Sequence, residues 1–426
     1  MRLDSFWLSN DIVKALIDKG YSEATDIQKA LIPEILNGRD VIAGARTGTG
    51  KTAGFVLPIL HNISKNYKEG QHYTRAIIIV PTRELANQVH KSVEDYGKYL
   101  NLKSIVLYGG ANLTSQANKI KNGVDIVVAT SGRLLEHINR KNIDVDGIEY
   151  LVLDEADTIL DMGFVHEVSK IISHLPTKRQ TILTSATLSG AIKRLSHDIL
   201  KKPKLIEVDS MGSIASSVTQ IVYPVELEKK SELLSYLIGS RNYKQVLLFV
   251  RKKEVADEVT KELNLSGLKT ATIHGGRSVG ERTRALEGFK DGSNRILVAT
   301  DIAARGLDIP LLEVVINYDI PHVIGDFIHR VGRTGRAGAK GLAITLISPN
   351  EMVALRDVER LIDQTLPQER LEGYAPKVVI KQKGARKSSQ KPKNIDGAFG
   401  KKRAKKATPP KSKKRKTTKR DVYKKM

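Results

Sequence analysis

Two short stretches carry residue types that could do chemistry together. Ala45-Arg46-Thr47-Gly48-Thr49-Gly50-Lys51-Thr52 has the pattern of a phosphate loop. Its glycines let backbone N–H groups approach a phosphate, Lys51 offers charge to the β- and γ-phosphates, and the Thr52 hydroxyl is a ligand for Mg²⁺. Further on, Asp154-Glu155-Ala156-Asp157 closes an apolar run over residues 149–153. Strand-end acids of this kind supply the other side of the metal. Each stretch alone has a plainer reading, a glycine-rich turn in one case and the polar rim of a sheet in the other. Together and in this order they predict a nucleoside triphosphatase.

Such residues need strands that end side by side. Short β-branched runs, each followed by a helical pattern, stand at residues 40–43, 76–80, 125–129, 150–153 and 180–183. After a linker near residues 210–217 the rhythm restarts at 245–250, 270–273, 295–299, 314–317 and 342–346. Repeated βα units with apolar strands predict an α/β fold of two tandem domains, each a parallel sheet covered by helices. The expected boundaries are 1–209 and 218–372, followed by a disordered basic tail over 377–426. Only the first domain has a phosphate loop. The second must serve another purpose or complete the same site from across a cleft.

Charge separates the tail from the rest. The chain of 426 residues carries a net +23, and residues 377–426 hold 21 Lys and Arg against two acids, or +19 of that total. With few large apolar side chains, this stretch cannot offset the entropy of ordering. Cysteine is absent, which excludes disulfides and thiolate zinc sites and fits a reducing compartment. The first residues lack the apolar segment of a signal peptide, and no apolar run approaches the ~18 residues of a membrane helix. A soluble protein without a membrane role is expected.

Within the first domain, Lys51 should hold phosphate, while Thr52 and Asp154 position Mg²⁺ directly or through water. Glu155 can orient and deprotonate an attacking water. Ser185-Ala186-Thr187 ends the fifth expected strand, where ligands bind open α/β sheets, so its hydroxyls could sense a γ-phosphate; helix capping is the plainer reading. In the second domain, His329-Arg330-Val331-Gly332-Arg333-Thr334-Gly335-Arg336 gathers three guanidinium groups between glycines. A solvated basic turn is one explanation. Yet the first domain has no obvious arginine finger, and Arg333 and Arg336 could supply one across the cleft. Hydrolysis would then depend on domain closure. His274 follows a strand, but no His spacing in the chain makes a metal site other than that for Mg²⁺.

Over residues 3–348 the chain resembles the DEAD-box ATP-dependent RNA helicases of superfamily 2. The resemblance runs through Gly20-Tyr21 to Gln28, the phosphate loop, Pro81-Thr-Arg-Glu-Leu-Ala86, Gly109-Gly110, Thr130-Ser-Gly-Arg133, the acidic tetrad, Ser185-Ala-Thr187, Ala304-Arg-Gly-Leu-Asp308 and the His329 to Arg336 block. Residues 161–164 and 300–308 look most like the bacterial RhlE-like branch. The resemblance implies two RecA-like domains that close on ATP and single-stranded RNA, unwinding short duplexes or remodelling RNA–protein complexes. Gln28 would read adenine, with Thr47, Gly48, Thr49, Gly50, Lys51, Thr52 and Asp308 completing the ATP site. Pro81, Thr82, Arg83, Gly110, Thr130, Gly132 and Arg133 would contact the RNA backbone from the first domain, and Arg282 and Thr300 from the second. Backbone contacts explain tolerance of sequence, because phosphates position and bases specify. Ser185, Thr187, Arg305 and His329 would couple the RNA side to the ATP side.

Several positions depart from the family pattern. Leu3 stands where an aromatic usually packs near adenine; Phe6 and Trp7 are nearby, and a buried structural role is expected of each. Ala24 and Asp26 replace two common prolines, Arg46 replaces a Gln, Ser131 a Pro, and Val279 the Gln of a Gln-x-x-Arg element. None touches the residues expected to carry hydrolysis. A DNA helicase and an RNA clamp with a vestigial ATPase are the rival readings. The partners implied are single-stranded and duplex RNA, such as ribosomal RNA or mRNA, and proteins of RNA processing or ribosome assembly. The protein is expected to act as a monomer in the cytoplasm, although the basic runs at 401–406 and 413–416 would also pass as nuclear localisation signals.

Overall fold

The computed structural model describes residues 3–376, apart from 46–47, 67–72, 209–216, 305–308, 310–311 and 336–339. The expected tail at 377–426 and the site residues Thr47, Arg305, Asp308 and Arg336 lie outside the described residues, as does the departure at Arg46.

The first lobe is built on β1 (Val41–Gly44), β2 (Ala76–Val80), β3 (Ser104–Leu107), β4 (Ile126–Thr130), β5 (Tyr150–Leu153), β6 (Gln180–Ser185) and β7 (Lys204–Glu207). They form one sheet in the order β3-β4-β2-β5-β6-β1-β7, with every pair parallel. Alternation explains why these strands are apolar throughout. Ile78, Val80, Val128 and Val152 join one core with the helices Asp26–Leu36, Lys51–Lys65 and Arg83–Tyr96. Ile77, Ile79, Val127 and Leu151 join a second core with Ser131–Asn139, Val165–His174 and Gly190–Ile199. Both faces are dry, as crossover helices require.

A second sheet repeats the plan with β8 (Val218–Pro224), β9 (Val246–Phe249), β10 (Thr270–Ile273), β11 (Ile296–Ala299), β12 (Val314–Asn317) and β13 (Gly341–Ile347), in the order β10-β11-β9-β12-β13-β8. Shifted by seven places, this is the order of the first sheet without its last strand. The sheets therefore hold seven and six strands where sequence reading expects five and five. The three missed strands all lie at sheet edges. There one side of the ladder is open, and polar residues such as Lys204, Glu207, Thr219 and Gln220 break the apolar signal. A consequence is that Ser185-Ala186-Thr187 closes the sixth strand in chain order, not the fifth.

The N-terminus corrects one expectation. Leu3 and Phe6 are buried in the first core, but Trp7 is 89 % exposed with φ of 59°. A left-handed backbone at a bulky residue turns the indole outward, so its buried role does not hold.

Candidate functional site

Parallel pairing brings the chemistry to one edge. Gly44 is in register with Ser185, and Leu153 with Leu183, so the phosphate loop, Asp154 and Ser185 follow from neighbouring strand ends. Gly48 and Gly50 have φ of 82° and 94°. At Gly50 the demand is also steric, since a Cβ there would stand 2.4 Å from the Gln28 amide nitrogen. That amide donates to the Gly50 carbonyl at 3.1 Å, while Gln28 Oε1 accepts from Thr25 N–H at 3.0 Å as half of a capping box. Gln28 thus bolts the helix Asp26–Leu36 to the loop. Lys51 opens the following helix, is buried, and donates to the Ala45 carbonyl.

Asp154 is buried, and its pKa is pushed up to about 6 by burial and by the charge of Glu155. Thr184 Oγ1 and, at 3.1 Å, the Glu155 N–H both donate to its Oδ1. Oδ2 takes no part in these bonds. Glu155 holds φ of 51°, a conformation that costs a non-glycine residue on the order of 1 kcal/mol. Among the described residues no group of three or more His, Asp or Glu side chains forms an all-protein metal cage. The hard oxygens of Thr52 and Asp154 fit Mg²⁺, which commonly takes one or two protein ligands and fills its octahedron with water and substrate phosphate.

Asp157 is the hub that sequence reading did not single out. Its Oδ2 accepts from Ala186 N–H at 2.9 Å, Thr187 N–H at 3.0 Å and Thr187 Oγ1 at 3.3 Å, and His329 Nε2 of the second lobe stands 3.7 Å away. Ser185 Oγ donates to the Thr187 carbonyl at 2.6 Å. The two hydroxyl residues thus brace an acid that faces the other lobe. Burial works to raise the Asp157 pKa, but the nearby His329 imidazole, with the charge of Lys51, holds it well below the usual carboxylate range. Arg333 follows His329 by four residues, just beyond the helix Asp326–Val331.

A second constellation lies at the ends of β2 and β4, where Val80 is paired with Thr130. Thr82 caps the helix Arg83–Tyr96 by accepting from Leu85 N–H at 3.2 Å, and Thr130 precedes the helix Ser131–Asn139. Gly110, with φ of 88°, lets the Arg83 guanidinium lie against its backbone, since a Cβ would meet Nη1 at 2.5 Å. Arg133 donates to the Ala111 carbonyl at 3.1 Å and to Gln116 Oε1 at 3.3 Å. The buried His137 also meets Gln116 Oε1, at 3.1 Å, so Arg133 is held from behind by a polar chain.

These residues line a groove of about 720 Å³ between the lobes, with Pro81, Thr82, Arg83, Thr130, Gly132 and Arg133 on one wall and Arg282 on the other. Gly110 and Thr300 are not in its lining, which instead takes Gly109, the neighbour of Gly110, and Ile302 and Ala303, just after Thr300 and Asp301. Arg282 crosses the groove to pair with Glu84 at 2.5 Å. Four guanidinium groups, those of Arg83, Arg133, Arg277 and Arg282, outnumber the three carboxylates of the lining, and a cationic balance fits a phosphate chain.

Fold and site together define a phosphate-loop nucleoside triphosphatase with two RecA-like lobes and a basic groove between them. Residues 25–195 match the DEAD/DEAH box helicase family, and residues 228–338 match the helicase conserved C-terminal domain. The ATP-dependent RNA helicase CshA of Listeria monocytogenes is 40% identical over 358 residues, covering 84% of this chain and 68% of the relative. The DEAD-box ATP-dependent RNA helicase CshA of Bacillus subtilis is 40% identical over 355 residues, covering 83% and 71%. Among solved structures, Saccharomyces cerevisiae Dbp5 bound to RNA and ADP BeF3 superposes with a TM-score of 0.78 at 28% identity, covering 87% of this chain and 95% of that one. Mss116p bound to ssRNA and AMP-PNP gives 0.79 at 28% identity, covering 87% and 78%. The chain belongs to the DEAD-box family of ATP-dependent RNA helicases. Its activity is RNA-stimulated ATP hydrolysis coupled to unwinding or remodelling of RNA.

Proposed function

We propose a division of labour among this chain's residues in that reaction. Gly48, Thr49, Gly50 and Lys51 cradle the phosphates of ATP, Gln28 reads its adenine edge, and Thr52 and Asp154 hold Mg²⁺. When bound, that ion screens the phosphate charge and fixes its orientation. Glu155 orients and deprotonates the attacking water. Arg333 answers the charge that develops in the transition state, with Arg336 assigned beside it from its place in the sequence. Pro81, Thr82, Arg83, Gly110, Thr130, Gly132, Arg133, Arg282 and Thr300 grip single-stranded RNA by its backbone, which gives little sequence preference. The lobes divide near residues 209–217, and the absence of cysteine supports a reducing compartment such as the cytoplasm.

The observation that carries this reading is the contact of His329 with Asp157 across the lobes. Asp157 is bonded to the strand end beside Asp154, and His329 stands four residues from Arg333, so closing the lobes on RNA also delivers the finger to the phosphates. Release of the products reopens them. The test compares ATPase stimulation by RNA and by DNA of the same sequence, in the native protein and in Glu155→Gln. Stimulation by RNA, with turnover lost but ATP and RNA still bound in the variant, is the expected outcome. Equal stimulation by DNA, or an unchanged rate in Glu155→Gln, overturns it.

A further inference from the structure

Three carboxylates line the groove: Glu84, Glu136 and Glu167. Glu84 is answered by Arg282 at 2.5 Å, and Glu136 by Arg140 at 3.1 Å and Arg133 at 3.4 Å. Glu167 differs. Its Oε2 is enclosed by the protein with no hydrogen-bond partner, while the residue as a whole is half-buried in the groove wall. An enclosed carboxylate oxygen without a donor is costly, and such a group in a native fold calls for an explanation.

The chemistry of the occupant narrows that explanation. An ionised carboxylate only accepts hydrogen bonds, so phosphate oxygens can offer it nothing but repulsion. The sugar–phosphate backbone of DNA has no donor at all. That of RNA has one per nucleotide, the ribose 2′-hydroxyl. Glu167 stands in the first turn of the helix Val165–His174, and Met162 and Phe164 line the groove beside it. These side chains give the apolar face of a ribose something to pack on and keep water from competing for the carboxylate. The terminal torsion of a glutamate is broad, so either oxygen can be turned to the incoming donor.

We propose that Glu167 accepts a hydrogen bond from the 2′-hydroxyl of one bound nucleotide and so selects RNA over DNA at that position. The inference rests on the groove being the RNA path. A plainer role exists: an acid in the first helical turn, favoured by the helix dipole. That role would register in stability and not in the sugar preference.

The test uses the full chain with a non-hydrolysable ATP analogue and a short single-stranded RNA, into which single 2′-deoxy nucleotides are placed one position at a time. In the native protein, one deoxy position beyond those read elsewhere in the groove weakens binding about tenfold, the scale of a charge-assisted hydrogen bond. In Glu167→Ala, all-RNA binds about tenfold more weakly, that position loses its penalty, and the affinity for the all-DNA strand is unchanged or higher. Glu167→Gln, which keeps an acceptor, retains part of the penalty. An identical deoxy pattern in Glu167→Ala and the native protein overturns the proposal. So does a parallel gain for RNA and DNA in Glu167→Gln, which would mark simple repulsion, or a lowered melting temperature with the pattern intact. Arg133→Ala separates the two levels of the argument. If it leaves RNA affinity unchanged, the groove is not the RNA path; if it weakens RNA while the Glu167 variants leave the pattern alone, only the role of Glu167 fails.

Discussion

Asp301→Asn probes a buried fork that joins the two functional surfaces of the second lobe. Arg330 is 1 % exposed, and its guanidinium donates to both oxygens of Asp301 at 2.5 and 2.8 Å, to the Asp319 carbonyl at 2.7 Å and to Asn317 Oδ1 at 3.3 Å, lying 5.2 Å over the Phe249 ring. Asp301 directly follows Thr300 on the groove side, and Arg330 stands between His329 and Arg333 on the nucleotide side. Under the proposed function, the fork therefore links the residue next to the RNA contact Thr300 to the helix that precedes the finger Arg333. Removing one partner of a buried ion pair costs about 3–5 kcal/mol, because the remaining charge is left uncompensated. Asp301 is itself 17 % exposed and asparagine keeps one acceptor, so a smaller cost than that range, about 2–3 kcal/mol, is expected here. For a lobe of this size that corresponds to a melting shift of roughly 4–12 °C.

Calorimetry and RNA-stimulated ATPase assays on the same samples would measure both consequences. The second lobe should melt earlier, and the stimulated rate should fall while ATP binding to the first lobe is retained. An intact buried pair is weak evidence for stability, since apolar residues of similar size often replace one without loss. Asp301→Leu with Arg330→Met should accordingly recover most of the melting temperature but none of the stimulation. A shift below 2 °C together with a stimulated rate within about twofold of native would refute the reasoning.

Arg333→Ala and Arg336→Ala are expected to lower RNA-stimulated hydrolysis by about 10³–10⁵ with little change in ATP affinity, and a loss below about tenfold for both would make them a structural basic turn. The folded-state pKa of Asp154, about 6, is raised above its ordinary value of 3.8, so its ionised form costs stability as pH rises from 4 to 6. Mg·ATP binding needs that form and should release a proton near pH 6, growing weaker below it; calorimetry in two buffers of different ionisation enthalpy reads the proton, and none released would count against Asp154 as the metal ligand. Deleting residues 377–426 should preserve kcat at saturating RNA while lowering RNA affinity and flattening its dependence on salt by about 0.7 per lost phosphate contact; affinity and slope both unchanged would remove the tail from RNA binding. Trp7→Gly should stabilise the first lobe by on the order of 1 kcal/mol in urea unfolding, since only glycine adopts φ of 59° freely, and a loss of stability would mean that the indole is held by contacts worth more than the strain.

What could be read from the sequence follows from how each function is encoded. A phosphate must be met by several backbone N–H groups and one ammonium within a single turn, so Gly48 to Thr52 announce themselves by spacing alone. Asp154 does so because a strand end is a local event. The edge strands β3, β7 and β8 were lost for the opposite reason: their burial is partial, and a strand that is half wet has no apolar run to show. Asp157 stood in plain view within the tetrad, yet its importance comes from His329, 172 residues away in the chain and 3.7 Å away across the lobes. The fork of Asp301 and Arg330, and the unanswered oxygen of Glu167, are of the same kind. Each of these acids looks ordinary in sequence, because acids on helix ends usually are. What separates them is the count of donors around each carboxylate: several for Asp157, a buried guanidinium for Asp301, none for Oε2 of Glu167. That count is a property of the assembled lobes, and it ranks the three acids by what they must do, since a satisfied buried charge can hold structure while an unsatisfied one in a binding groove is poised for a ligand.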